Sequence, residues 1–275
     1  MHRVRIALAQ LDCRLGDLDE NVRRAREAVS AARIGGADLV VFPELQLSGY
    51  ALGRGEVEAA ACSPAEASSL AEGVAAVVGF QERNGDRRYN SSVYAEDGEP
   101  LHVHRKLYLV DYPPFDEDKL FEPGQASRAF DTALGRMAML ICNDAWQPFL
   151  PSLAVHDGAE ILLVPSCSST AVPEAEAYWR ELTRFYARML ECYVVFVNRV
   201  GDEAGFTFWG GSHVVDPRGE VVAEAPRHEE ALLFADVELE QVAVRRSELP
   251  LVGDPRLDLL RSELTRLAAA AAATR

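Results

Sequence analysis

Three short segments of this chain each deliver, off the end of a strand, a side chain that a hydrophobic core rejects. Leu39-Val-Val-Phe-Pro runs into Glu44, Leu101-His-Val-His-Arg into Lys106, and Met137-Ala-Met-Leu-Ile into Cys142, with Asn143 and Asp144 next. Burying a charge or an unpaired polar group costs several kcal/mol. The fold must therefore bring these ends to a place where polar groups find partners. Strand ends that meet loops are where α/β folds assemble their sites. A carboxylate, an ammonium and a thiol gathered there make a base, an electrophilic cation and a nucleophile.

Around these runs, strand and helix signals alternate along the whole length. Val4 to Leu11 alternates as a strand, and Leu18, Val22, Ala25, Val29 and Ala32 then fall at helical spacing. Ala37 to Phe42 is apolar but for Asp38, the pattern of a buried strand. Ser63-Pro64 opens a helix over 63–72, with Ser as cap and Pro in the first turn. Ala75–Gln81, Asn90–Ala95 and Pro100–Leu107 read as strands, the first two joined at Asn84-Gly85-Asp86. Residues 110–127 read as one long loop, of the kind that often carries function. Strands follow at Arg136–Asn143, Ala159–Ser166 and Tyr193–Val200, with helices at Pro148–Asp157 and Ala175–Glu191. Ser212–Asp216 and Glu220–Ala225 form a hairpin, Leu232–Val237 is the last strand, and Asp254–Arg275 is a helix with Leu257, Leu260, Leu264 and Leu267 on one face. Such interleaving gives α/β layers with no composition break. Periodicity alone leaves a two-sheet and a doubly wound arrangement open.

Composition narrows the function classes. A net charge of −15 over 275 residues offers no basic excess to neutralise phosphates, which argues against nucleic acid as a partner. Five cysteines, odd in number and without a Cys-x-x-Cys, argue against a disulfide framework and a structural zinc site. The first residues lack the apolar core of a signal peptide, and no apolar stretch reaches membrane-spanning length. A cytoplasmic protein without a membrane partner is expected. His102 and His104 share a strand face and could begin a metal site if His213 or His156 converged on them, but the reading favours strand histidines beside the lysine and no metal.

The blocks Phe42-Pro43-Glu44-Leu45 with Ser48-Gly49-Tyr50, His104-Arg105-Lys106-Leu107, and Leu140-Ile141-Cys142-Asn143-Asp144 resemble the three signature blocks of the nitrilase superfamily, the carbon–nitrogen hydrolases, in the family's order. Phe115-Asp116-Glu117 and Val197-Asn198-Arg199-Val200-Gly201 extend the likeness, which runs from about residue 4 to about 237. The resemblance implies a four-layer α-β-β-α sandwich over residues 1–250, a C-terminal helix or tail over 251–275, and a homodimer or higher homo-oligomer. It implies that Cys142 is the nucleophile, that Glu44 is the base and acid, and that Lys106 with the backbone N–H of Asn143 holds the oxyanion. It further implies that Glu117 supports Lys106 and positions substrate, and that no cofactor is needed. Tyr112 is similar to a tyrosine that contacts substrate in glutaminase-type relatives. Tyr50, Trp146 and Ser166 complete the expected substrate contacts, and Cys167 in Pro165-Ser-Cys-Ser-Ser is the internal rival to Cys142.

The activity so implied is a thiol amidohydrolase acting on a small linear amide through a thioester. Hydrolysis of an N-carbamoyl compound is the nearest alternative, followed by nitrile hydrolysis or a glutaminase role; a non-catalytic interaction protein on the same fold is the different class. The arginines that follow Cys-Asn-Asp in carbamoyl-amino-acid hydrolases are replaced here by Ala145 and Trp146. An arginine fork is the natural clamp for a carboxylate. With Asp111, Asp116, Glu117 and Asp118 in the loop after Lys106, neutral or cationic amides are expected over anionic ones.

Overall fold

The computed structural model describes residues 3–51, 60–253 and 255–273. Two six-stranded sheets carry the fold. The first runs β14 (Ala231–Glu238), β1 (Arg3–Gln10), β2 (Leu39–Val41), β3 (Ala75–Asn84), β4 (Arg87–Glu96) and β5 (Glu99–Arg105). The second runs β13 (Val221–Glu224), β12 (His213–Val215), β9 (Tyr193–Asn198), β8 (Ile161–Ser166), β7 (Gly135–Met139) and β6 (Phe130–Thr132). Each has three central parallel strands, β1-β2-β3 and β7-β8-β9, with antiparallel strands on both flanks.

Alternation along the central strands explains the layering. Ile6, Leu8, Leu39, Val41 and Val77 face Met137, Met139, Ile161, Leu163 and Val195 of the other sheet in one core. Their neighbours Ala7, Ala9, Val40, Phe42 and Val78 face the opposite way, onto Ala25, Ala28, Val29 and Ala32 of α1 (Leu18–Ile34) and Ala67 of α2 (Pro64–Ser68). In the second sheet Ala138, Leu140, Leu162, Val164 and Phe196 face outward onto α3 (Phe149–His156) and α4 (Ala175–Leu190). Strands apolar on both faces need cover on both faces. Helix, sheet, sheet and helix therefore stack in the four layers expected.

Local chemistry sets the element ends. Asp17 caps α1 by accepting from the Glu20 N–H at 3.1 Å. Ser63 and Glu66 cap α2 reciprocally, as Ser63-Pro64 foretold. That helix stops at Ser68 rather than at 72. The third apolar run departs from expectation more usefully: β7 ends at Met139, and Cys142–Trp146 close into a 3₁₀ turn instead of extending the strand. Residues 110–127 hold one 3₁₀ turn, Glu117–Lys119. The expected strand set omitted β6 and a two-stranded ribbon of β10 (Val200–Glu203) and β11 (Phe206–Trp209), and the expected helices omitted α5 (Leu239–Glu248). These are short or only half-apolar, so their pattern does not stand out. The terminal helix, α6, spans Leu257–Ala273 with Leu257, Leu260, Leu264 and Leu267 exposed; Asp254, Thr274 and Arg275, part of the expected helix, lie outside the described residues. No described helix is long and apolar enough to cross a membrane.

Glu191, which ends α4, occupies a left-handed backbone conformation, φ 52° and ψ 51°, and is fully buried. Among the described residues neither of its carboxylate oxygens has a hydrogen-bond partner. Glycine is the usual residue at such a helix end. Glu191→Gly is expected to raise unfolding free energy by about 1 kcal/mol, read from denaturant melts. A less stable variant would show that the carboxylate is held by a buried partner.

Candidate active site

Glu44 reaches the space between the sheets because the chain turns directly after β2. Gly79 of β3 lies flush against that turn, where a Cβ would run into the Pro43 carbonyl and the Glu44 Cα. Lys106 follows β5, its N–H bound to the Asn90 carbonyl at 2.8 Å. Glu117 enters from the 110–127 loop, and Cys142 sits on its 3₁₀ turn at φ 46°. A non-glycine residue in that region is strained and commonly marks a functional position.

The fold brings these four side chains together. Lys106 Nζ donates to Glu44 Oε1 at 2.7 Å and to Glu117 Oε1 at 2.7 Å. Glu44 Oε1 also accepts from Asn90 Nδ2 at 2.7 Å, and Oε2 from the Cys167 N–H at 2.8 Å. Glu117 Oε1 accepts from the Tyr50 hydroxyl at 2.7 Å, and Oε2 from the Val110 N–H at 3.1 Å. Burial alone would pull the Lys106 ammonium down, but Glu117 and Glu44 hold it well above its ordinary pKa. Burial pushes the Glu117 carboxyl up, against the pull of Lys106. The Cys142 thiol is also pushed well above its usual value, by burial and then by Glu44, with Lys106 opposing. The arrangement favours a protonated thiol beside an ammonium.

Asp144 fastens the cysteine turn to the lysine segment. Its Oδ1 accepts from the N–H groups of Leu107 and Tyr108, both at 2.9 Å, and its Oδ2 from the Ile141 N–H at 3.1 Å. Oδ2 also meets His104 Nε2 at 2.9 Å. His102 stacks on Phe130 at 4.2 Å between ring centroids, so the two strand histidines go to separate partners. Among the described residues no three His, Cys, Asp or Glu side chains are grouped to hold a metal ion.

Cys142 and Asn143 line a small cavity of about 40 Å³ that opens to solvent. Tyr50, Tyr112, Phe115, Trp146 and Trp179 form its aromatic walls, and none of the described residues lining it carries a charge. Four of the expected contacts, Tyr50, Tyr112, Asn143 and Trp146, lie on this lining; Ser166 does not. Ser166 is the last residue of β8, fully buried, with its hydroxyl 3.4 Å from the Val164 carbonyl. The strand ends there, and it is Ser168 and Ser169 beyond it that face the cavity. Cys167 lines the cavity too, but its thiol points to the Glu44 carbonyl at 2.9 Å. Asp111, Asp116 and Asp118 are exposed on the loop, and Glu117 alone turns inward. Asn90 and Asp144, which hold the site in shape, were not singled out from sequence; a polar residue inside an apolar strand was the available signal for Asn90.

Lys106→Met leaves Glu44 and Glu117 as buried carboxylates without their shared cation. Breaking a buried pair costs roughly 3–5 kcal/mol, and a loss of about that size is expected. Burial already raises Glu117, and the variant removes the charge that opposes it. A carboxyl whose folded pKa is raised contributes stability that is present below its unfolded pKa and lost as pH rises through the folded one. The deficit against the parent should therefore be small near about pH 4 and grow toward about pH 8, as read from denaturant melts. A deficit independent of pH would show that the carboxylates are neutralised by another group.

Comparison with known proteins agrees with this geometry. The carbon-nitrogen hydrolase family model matches residues 5–247. An omega-amidase of Danio rerio is 31% identical over 273 residues, covering 94% of this chain and 97% of the relative. An N-carbamoylputrescine amidase of Arabidopsis thaliana is 30% identical over 274 residues, 90% of this chain and 91% of the relative. A glutamine-dependent NAD(+) synthetase of Thermotoga maritima is 31% identical over 262 residues, 88% of this chain; the chain spans only 43% of that relative's length. Among solved structures, a variant of the amidase from Nesterenkonia sp. AN1, with acrylamide added to its active-site cysteine, superposes with a TM-score of 0.79 at 26% identity, over 94% of this chain and 99% of that one. A match across nearly the whole chain, on a four-layer fold with a carboxylate–ammonium–thiol cluster between its sheets, makes this chain a member of the carbon-nitrogen hydrolase family.

Proposed function

We propose that the protein is a cysteine amidohydrolase acting on a small, uncharged linear amide. The observation that carries the reading is the Lys106 ammonium held at 2.7 Å from both Glu44 and Glu117, beside a thiol on a turn that lines an aromatic-walled cavity. Glu44 takes the proton of the Cys142 thiol as sulfur attacks the amide carbon, and the C=O π electrons move to oxygen. Lys106 Nζ and the Asn143 backbone N–H hold that oxyanion. The N–H groups of a first helical turn lack intrahelical partners, which leaves the latter N–H suited to the task. As the tetrahedral adduct collapses, the C–N bond breaks and Glu44 returns the proton to the leaving nitrogen, giving ammonia or an amine and a thioester. Water, deprotonated by Glu44, then attacks the thioester carbon, and the acid and the thiol are released.

The described lining carries no charge, which supports uncharged substrates, since a carboxylate would meet no cation among those residues. Ala145 is buried and Trp146 lies on the wall, where an arginine clamp would have to stand. The match to an N-carbamoylputrescine amidase supports a second reading, hydrolysis of an N-carbamoyl amine. We also take the protein to act in the cytoplasm as a homodimer. Five free cysteines suit a reducing compartment. Exposed Tyr178, Phe185 and Met189 on α4, with the leucines of α6, suit burial against a second subunit. The division into a hydrolase domain over 1–250 and a tail over 251–275 belongs to the same reading.

An ammonia-release screen over amides, carbamoyl compounds and nitriles tests the activity. Iodoacetamide should abolish release with labelling at Cys142, Cys142→Ala should be inert, and EDTA should change nothing; full activity in Cys142→Ala would sink the mechanism. Among active substrates, kcat/KM for an uncharged aliphatic amide should exceed that for the matched amide ending in a carboxylate by at least about tenfold. A preference for the carboxylate would turn the assignment toward anionic substrates.

A further inference from the structure

We propose that Glu203 is a positioning residue for this site, holding the turn at Tyr50 so that the Tyr50 hydroxyl stays on Glu117. The proposal rests on the reading of Glu117 and Lys106 as parts of a hydrolytic centre. Glu203 closes β10 and is 6% exposed. Its Oε1 accepts from two successive backbone N–H groups, Tyr50 at 2.7 Å and Ala51 at 2.6 Å. Its Oε2 takes Arg199 Nη1 at 2.6 Å. Arg199 is fully buried, donates through Nη2 to Asp12 Oδ1 and to the Cys13 carbonyl, both at 2.9 Å, and lies 4.5 Å over the Phe208 ring. Gly49 permits the approach: at φ 84° it is left-handed, and a Cβ there would meet Glu203 Oε2 at 2.7 Å.

The other end of residue 50 touches the site. Its hydroxyl donates to Glu117 Oε1 at 2.7 Å, and its ring meets Phe115, Phe206 and Phe208 edge to face. Phe206 and Phe208 lie on β11, so one ribbon grips Tyr50 by backbone and by ring. A hydrogen bond given to a carboxylate favours its ionised form. Glu117 faces Lys106, Glu44, Tyr50 and Cys142, with Tyr112 at the mouth; Lys106 and Tyr50 favour its charge, while burial and Glu44 oppose it. If the Tyr50 turn is released, Glu117 protonates at a higher pH and Lys106 loses one of its two anchors. A buried Glu–Arg pair that served stability alone would not move such a titration.

The probe is iodoacetamide, whose rate of alkylation at Cys142 is followed by mass spectrometry across pH in the full chain. It is applied to the parent, Glu203→Gln, Tyr50→Phe and the double variant. Glu203→Gln leaves Arg199 with Asp12 and Cys13, which favours a retained fold, and Glu203→Asp serves as a second, charge-keeping variant. A protonated Glu117 no longer raises the Cys142 thiol, so the acid limb should move to lower pH by about one unit in Glu203→Gln and in Tyr50→Phe, with no further shift in the double variant. Glu203→Asp should fall between the parent and Glu203→Gln. A Glu203→Gln profile that superimposes on the parent, or shifts that add in the double variant, would overturn the proposal. Absence of labelling at Cys142 in the parent would sink the reading of the site itself, a failure distinct from that of Glu203.

Discussion

A single buried ammonium organises this molecule's chemistry. Lys106 is 1% exposed and lies between two carboxylates, a position that water would normally have to fill. Desolvating one cation against two anions is tolerable only because the remaining oxygen valences are met by Asn90, Tyr50 and the backbone N–H groups of Cys167 and Val110. Those donors come from β4, from the turn after Glu44, from the segment beyond β8 and from the 110–127 loop. Both sheets and the longest loop are thus committed to satisfying one charge cluster. The pair of sheets is less a container for the site than its hydrogen-bond supply.

What is local to one segment of this chain and what joins distant segments differ in how far sequence shows them. Glu44 and Cys142 were visible in sequence because each ends an apolar run, and they joined Lys106 as a set because the three blocks resemble one family's signatures in order. The central strands were visible as apolar runs, since cover on both faces forces continuous apolar sequence. What remained hidden depends on contacts between distant segments. Glu203 ends a four-residue strand of mixed polarity, and nothing local shows that its carboxylate receives the N–H groups of Tyr50 and Ala51. Ser166 was misplaced because sequence gives a strand end only to within a residue or two, and side-chain direction reverses at every residue. The lack of an arginine after Cys142 was legible, but the uncharged wall that accompanies it required the fold.

The repeated strand pattern of the two sheets also bears on the site. Glu44 leaves the first parallel core and Cys142 the second, so the proposed base and nucleophile ride on different sheets. Their separation is fixed by side chains packed between the sheets, Met139 and Leu163 against Leu8 and Val41 among them. Interiors are packed near crystal density, and a change of one methylene in that layer alters the spacing of the reacting groups. Core substitutions far from the cavity are in this sense active-site substitutions.

The resting state of Cys142 has a consequence for how the protein meets other chemistry. Thiolates, rather than thiols, react with peroxides, disulfides and most electrophiles. A sulfur whose protonated form is favoured by burial and by Glu44 is slowed toward such agents, and a molecule that seats a carbonyl beside it in the cavity has the advantage. A reagent intended to report on this protein in a complex mixture gains from a carboxamide, such as iodoacetamide carries, or a nitrile that imitates the bond being cut.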